Sequence, residues 1–311
     1  MSKQAAETSI AWPEKKGELY HNHFDSSVWN DFSFRDDDII ISTYAKSGTT
    51  WVQQILAQLL FNGATDINVA EMSPWFDFRL PPRDVQLEAV EAQAHRRFIK
   101  THLPVDALVY SPEAKYLYIA RDGRDVLWSY YNHHSNHNDL FYREINAVGG
   151  PGIEPAQPPQ LEVHEYFRHW LENDGYPIWS YWHNIRSWWE IRHLPNLKLL
   201  HFSALKADMP GEIRRIAAFL DIPIDESTWE DILEHCSFDY MRANAGPSVP
   251  LGGAMWEGGA KTFIHKGTNG RWRDILTEQD NANYESRAIE ELGAECAAWL
   301  SSGELAGDAE G

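Results

Sequence analysis

Three consecutive β-branched residues, Ile39, Ile40 and Ile41, run directly into Ser42, Thr43, Tyr44, Ala45, Lys46, Ser47, Gly48, Thr49, Thr50 and Trp51. A β-branched apolar run suits a strand buried on both faces. Lys46 to Thr50 then places one cation, three hydroxyls and a glycine in five positions. Trp51, Ile55, Leu59 and Leu60 follow at helical spacing, so the local order is strand, polar loop, helix. Such a loop binds an oxyanion, because the helix N-terminus offers unpaired amides and Gly48 lets the backbone approach a ligand. It is not a Walker A loop, since the lysine precedes the glycine and G-x-x-x-x-G-K-[ST] does not occur.

Further strands are predicted at residues 38–44, 97–101, 115–121 and 197–203, the first of them carrying the isoleucines. Helical spacing marks 50–62, 122–136, 177–192, 212–220 and 228–235. Strands alternating with helices predict an α/β fold, a single domain with a mainly parallel central sheet flanked by helices. Its ligand site is expected at the carboxyl ends of the strands. We expect an N-terminal segment over 1–34, the domain over 35–300 and a frayed tail over 301–311. Residues 146–160, rich in Gly and Pro, read as an irregular surface loop. Trp179, Trp182, Trp188 and Trp189 crowd one predicted helix, which is expected to pack on the core.

Charge narrows the function. The chain has 27 Lys and Arg against 46 Asp and Glu, a net charge of −19, which argues against general binding to nucleic acid or anionic membrane. An anionic ligand therefore needs a local basic pocket. Cys236 and Cys296 are the only cysteines, so disulfides and cysteine-based zinc sites are not expected. No signal-peptide core or membrane-spanning run is found, and a soluble, cytoplasmic protein is expected.

Three more stretches carry chemistry. Lys100 and His102 lie at the end of the second strand and, two residues apart, point to one side of it; a histidine beside a lysine there is a candidate base. Arg121 ends the third strand and Ser129 follows on the next helix, with Asp122 as its cap. Arg121 offers the planar fork suited to a phosphate monoester. Ile264 to Arg273 holds two glycines and basic residues including His265 and Lys266, a second phosphate-cradling loop. His133, His134 and His137 read as a solvated helix face rather than a metal site.

In the same order, these four stretches resemble the signature regions of the cytosolic sulfotransferases, from about Arg35 to about Asp274. The resemblance implies 3′-phosphoadenosine 5′-phosphosulfate as sulfuryl donor, no metal, and a P-loop-like phosphosulfate loop. It matches Lys46, Ser47, Gly48, Thr49 and Thr50 to that loop. Arg121, Ser129, Lys266 and Gly267 match 3′-phosphate contacts, Trp51 and Phe238 the rings around adenine, and His102 the base. Lys46 would stabilise the leaving oxygen and Lys100 would hold a sulfonate oxygen. Ser129 would restrain Lys46 until the acceptor arrives.

The chain departs from the family pattern at several positions. His265 stands in place of an arginine, Arg271 in place of an acid, Phe202 in place of a tyrosine and Cys236 in place of a threonine; the last two are still assigned to the adenine site. Arg273, Thr277, Glu278 and Ala282 replace the family's dimer segment, which leaves the oligomeric state open. Trp75 and Phe78 match rings that line an acceptor pocket, so a small aromatic or apolar hydroxyl compound, or an amine, is the expected partner. A glycolipid or other carbohydrate hydroxyl is the alternative. A P-loop nucleotide kinase is the rival class, and it would require Walker A and a metal-binding aspartate.

Overall fold

The computed structural model of the chain describes residues 10–150 and 152–305. Its centre is a sheet of four parallel strands: β1 (Ile39–Thr43), β2 (Phe98–Thr101), β3 (Lys115–Ala120) and β4 (Leu197–His201). Their spatial order is β2-β1-β3-β4. Ile40 pairs in register with Ile99 on one side and Tyr116 on the other. The chain therefore leaves β1 in one direction to reach β2 and in the other to reach β3. That reversal opens a crevice beyond the carboxyl end of β1.

The helices in chain order are α1 (Thr49–Leu60), α2 (Val69–Met72), α3 (Arg83–Glu91), α4 (Gly123–Ser135) and α5 (Asp139–Ala147). Then come α6 (Val163–Glu172), α7 (Tyr181–Glu190), α8 (Phe202–Ala207) and α9 (Met209–Phe219). The last are α10 (Trp229–His235), α11 (Phe238–Ala243), α12 (Ala260–Phe263) and α13 (Glu278–Ser302).

The period-2 alternation of strand side chains divides the core into two layers. Ile39 and Ile41 face Val52, Ile55 and Leu56 of α1, together with Ile213 and Ile216 of α9. Ile40, Ile99, Tyr116 and Tyr118 face the opposite layer, where Trp170 of α6, Trp182, Ile185 and Trp188 of α7, and Trp299 of α13 are buried. The tryptophan-rich segment is thus core, as its spacing predicts. A third apolar cluster joins Phe141 and Ile145 of α5 to Val249, Met255 and Trp256. Asp38, just before β1, is fully buried against Arg97, whose Nε donates to Oδ1 at 2.7 Å. Breaking such a buried pair typically costs roughly 3–5 kcal/mol, so it fixes where β1 and β2 begin.

Several boundaries differ from the sequence reading. Helix α7 begins at Tyr181 rather than 177, because Ser180 caps it by accepting from the His183 amide at 3.1 Å. Helix α9 begins at Met209, capped by Asp208 with Pro210 in its first turn, rather than at 212. The fourth strand stops at His201, and Phe202 already opens α8. Of the predicted loop over 146–160, Asn146 and Ala147 finish α5, and Pro151 lies outside the described residues. The expected tail is also shortened: Ser301 and Ser302 belong to α13, and residues 306–311 lie outside the described residues. Thr277, within the divergent dimer segment, is the N-cap of α13 and forms a capping box with Asp280.

Candidate active site

All four strands deliver a functional residue from the same edge of the sheet. Lys46 follows β1, His102 follows β2, Arg121 follows β3 and Phe202 follows β4. These residues line one cavity of about 1350 Å³. It extends from the Lys46 loop to Lys266 and Gly267 at one end, and to Trp75, Phe78, Phe141 and Trp256 at the other.

The loop after β1 is shaped for close approach. Gly48 has φ +116°, and a Cβ there would lie 2.9 Å from both Ile119 and Phe202. Lys46 also holds a left-handed backbone, φ 69°. The first amides of α1 have no intrahelical acceptor and form an anion-binding end. Ser47 is fully buried, and its hydroxyl has no hydrogen-bond partner among the described residues. Unlike Lys46, Gly48, Thr49 and Thr50, Ser47 is not part of the cavity wall.

Cations converge on the cavity. Lys46, Lys100, Arg121, Lys206, Lys266 and Arg271 all line it. Among the described residues none of them has a carboxylate within salt-bridge distance. Arg121 is oriented by neutral acceptors: its Nη2 donates to the Thr268 carbonyl at 2.8 Å and its Nε to Asn269 Oδ1 at 3.1 Å. Its guanidinium lies 4.3 Å over the Phe202 ring. Burial, with Lys100 and Arg121 nearby, pulls the Lys46 ammonium down to about 7. Lys100 is likewise brought down to about 8 by burial, an effect that Asp77 opposes. Unpaired, partly dehydrated cations in a chain of net charge −19 create a strong local demand for an anion.

His102 is buried, with Nδ1 2.7 Å from the Thr43 carbonyl. That contact requires the proton on Nδ1 and leaves the Nε2 lone pair free. Burial, followed by the field of Lys100, holds its pKa well below the ordinary imidazole value, so the ring is neutral. Trp75 meets it edge-on at 4.6 Å, and Trp75 stacks on Phe78 at 4.7 Å. Asp77 fixes this wall by accepting from the Nε1 of Trp29 at 2.9 Å, and from Trp75 and Thr101. Burial pushes the Asp77 carboxyl up to about 6.

At the other end, Trp51 and Phe202 meet edge-to-face at 5.5 Å, and Phe238 packs where a Cβ on Gly267 would come within 2.7 Å of its ring. These rings form a slot for a planar group. Cys236 does not contribute its side chain. It is fully buried in the α1 layer of the core, and only its backbone reaches the slot, as acceptor from Trp51 Nε1 at 2.9 Å. His265 lines the cavity 3.4 Å from Arg271 Nη1, and burial, Arg271 and Lys266 lower its pKa. Arg271, one of the basic residues of this loop and standing where the family has an acid, presents its guanidinium to the same cavity, 4.8 Å from the Trp128 ring.

His133 and His134 of α4, and His137 just beyond its C-terminus, are not a solvated face. His134 is buried, while His133 and His137 line the cavity, because α5 and residues 255–263 fold over α4 and cover it. Among the described residues, no group of three or more His, Cys, Asp or Glu has metal-holding geometry. Ser129 also lines the cavity. Lys46 Nζ, however, meets His133 Nδ1 at 3.1 Å. Sequence reasoning missed His23, Phe141, Trp179 and Trp256, which complete the aromatic end.

Comparison with known proteins agrees with this geometry. The family model described as "Sulfotransferase domain" matches residues 36–294. A glycolipid sulfotransferase of Mycobacterium tuberculosis is 31% identical over 302 residues, covering 90% of this chain and 92% of that protein. Sulfotransferase 1A1 of Rattus norvegicus is 30% identical over 266 residues, covering 82% and 84%. Among solved structures, mouse sulfotransferase SULT7A1 complexed with PAP has a TM-score of 0.67 at 22% identity, covering 88% of this chain and 91% of that one. Retinol dehydratase in complex with androsterone and inactive cofactor PAP has a TM-score of 0.68 at 21% identity, covering 86% and 83%.

Proposed function

This chain belongs to the sulfotransferase family, and we propose that it moves a sulfuryl group from 3′-phosphoadenosine 5′-phosphosulfate to an acceptor hydroxyl, with the residue roles that follow. The observation that carries the proposal is the set of unpaired cations, at the ends of three parallel strands, on helix α8 and on the segment after α12, around one cavity of an acidic protein. Bound there, the donor supplies an activated sulfuryl group on a phosphate leaving group. Lys46 and the amides of α1 hold the phosphosulfate, with Thr49 and Thr50 as hydroxyl partners. Arg121, Lys266 and Arg271, with Ser129, hold the 3′-phosphate, while Trp51, Phe202 and Phe238 enclose the base. His102 takes the acceptor proton on Nε2. Lys100, on the same side of β2, holds a sulfonate oxygen. A sulfuryl group carries less charge than a phosphoryl group, so these cations can stabilise the transfer without a metal.

The acceptor lies between Trp75, Phe78, Trp179 and Phe141, in front of His102. An apolar or aromatic hydroxyl compound fits these walls. A glycolipid is a second reading with its own support. The cavity continues past Phe78 to Leu80, Pro81 and Leu251, an apolar extension that suits an alkyl tail. The mycobacterial relative's name agrees. Cytoplasmic residence is also proposed, in keeping with two buried free cysteines. Among the described residues no helix is long and apolar enough to cross a membrane.

Adenosine 3′,5′-bisphosphate should raise the melting temperature by several degrees, because a ligand at about 100 times its Kd adds about 2.7 kcal/mol. ATP with Mg²⁺ should give far less. The reverse order would favour a nucleotide kinase. Assay of the labelled donor against phenols, steroid alcohols and glycolipids then decides the acceptor.

A narrower expectation concerns Arg271. Its replacement by alanine should weaken adenosine 3′,5′-bisphosphate about tenfold or more, the usual worth of a charge-assisted contact. His265→Ala should do much less. Calorimetry on both variants measures this, and equal losses would mean that His265 binds the phosphate as a cation.

A further inference from the structure

Ser129 and His133 are four residues apart on α4, on one face of the helix, and both line the cavity. Either could hold the Lys46 ammonium. In the structure Lys46 Nζ lies 3.1 Å from His133 Nδ1 and 4.6 Å from the Phe263 ring centroid. Among the described residues Lys46 Nζ makes no hydrogen bond to Ser129. The His133 ring is held by other rings, at 4.7 Å from His137, 5.2 Å from Trp256 and 5.3 Å from Phe263. Those rings belong to the acceptor end. His133 is therefore in contact with the lysine on one side and with the acceptor wall on the other.

We propose that His133 is the positioning residue that holds Lys46 away from the donor's leaving oxygen until an acceptor is seated, which limits loss of the sulfuryl group to water. The inference rests on the reading of the cavity as a sulfotransferase site. It differs from what family resemblance implies, where Ser129 has that task. The chemistry of the contact is consistent. Burial, then Lys46, with His137, His134 and His23 nearby, holds the His133 pKa well below its ordinary value. A neutral ring accepts a hydrogen bond at Nδ1 from the ammonium, and its own proton sits on Nε2. The other charged or titratable groups facing Lys46 are Lys100 from β2, His102 just after it, Arg121 from the end of β3, His137 after α4 and His265 from the loop after α12. Lys100 and Arg121 have no acceptor to offer, His102 Nδ1 is engaged with the Thr43 carbonyl, and among the described residues His133 alone brings a ring nitrogen within hydrogen-bond distance of Lys46 Nζ.

In the wasteful reaction a water oxygen forms a bond to sulfur while the bond from sulfur to the phosphate oxygen breaks. The electron pair leaves with that oxygen, and the water protons pass to solvent, giving sulfate and the bisphosphate. A lysine free to reach the leaving oxygen accelerates this step as well as productive transfer.

The test compares wild type with His133→Phe, His133→Asn and Ser129→Ala, each checked for an unchanged melting temperature. Phenylalanine keeps the ring packing and removes the acceptor, whereas the asparagine amide oxygen takes the place of Nδ1. The first readout needs no donor. The pH midpoint for reductive methylation of Lys46 should fall in His133→Phe by roughly half a unit or more, because a hydrogen bond to the charged form is lost. It should stay near the wild-type value in His133→Asn and in Ser129→Ala. The second readout is acceptor-free sulfate release, expected to rise several-fold in His133→Phe and to return toward wild type in His133→Asn. An unshifted midpoint in His133→Phe, or a shift in Ser129→Ala instead, overturns the proposal. Unchanged sulfate release with a shifted midpoint overturns its catalytic half. A wild type that binds no adenosine 3′,5′-bisphosphate and cleaves no donor strikes the sulfotransferase reading itself, while the methylation midpoint still decides whether His133 holds Lys46.

Discussion

Replacing His102 with alanine is expected to lower kcat by ~10²–10⁴-fold while leaving adenosine 3′,5′-bisphosphate affinity within about twofold, the pattern for loss of a general base. The geometry supplies the reason. Nδ1 is committed to the Thr43 carbonyl at 2.7 Å, so only Nε2 can take a proton, and the ring packs against Trp75 and Trp179. Burial and Lys100 hold the ring neutral well below pH 6.5, which keeps the base available across the working range. The sign of the pH profile follows. A group whose folded pKa is depressed loses its basic form only when pH falls to that low value, so kcat should not decline through pH 6–7 because of His102. Stopped assays with a fixed acceptor check both points. Near-full turnover of His102→Ala on an alcohol of high pKa would remove this residue from the mechanism.

The same residues show what the sequence could and could not disclose. The sheet, its parallel sense and the site at its carboxyl edge were legible because β1 is an unbroken buried run and the helices after it keep helical spacing. His102 and Arg121 were legible because each directly follows a strand, and Lys46 because it lies in the short turn between β1 and α1. Helix α6 was within reach, since Val163, Tyr166, Phe167 and Trp170 have the helical period. Helix α13 was harder, because Gly293, at φ 76°, interrupts its pattern.

What could not be read were contacts closed by distant segments. His133, His134 and His137 look solvated on an isolated α4, and it takes α5 and the chain at Met255–Phe263 to cover them. Cys236 shows the opposite error. Alignment by position suggested a side chain facing adenine, yet the fold turns the thiol into the core and offers only the carbonyl. Arg271 was legible as one of the basic residues of its loop, whereas its position on the cavity wall, 3.4 Å from His265 Nδ1, was not.

Lys46→Ala should produce the second large loss, ~10²–10³-fold in kcat with a donor affinity change of tenfold or less, since its charge is needed chiefly when the leaving oxygen becomes an anion. Excess EDTA should leave wild-type activity unchanged. An EDTA-sensitive rate restored by Mg²⁺ would instead assign the leaving-group role to a metal. The pKa of Lys46 adds a separate signature. Burial and the neighbouring Lys100 and Arg121 bring it to about 7 in the free protein, and a bound anion raises it by favouring the ammonium. Binding is therefore strengthened below about pH 7, and this gain is lost as pH rises toward the higher bound-state value. Arg121 and Arg271 stay charged over that range and contribute no slope. The phosphate groups of the ligand titrate near pKa ~6 in both proteins, so the informative quantity is the difference between wild type and Lys46→Ala. Calorimetry with adenosine 3′,5′-bisphosphate from pH 6.5 to 9 should show the wild-type advantage shrinking as pH rises. A constant difference would mean that Lys46 is already fully charged, in which case its neighbours and its contact with His133 do not tune it.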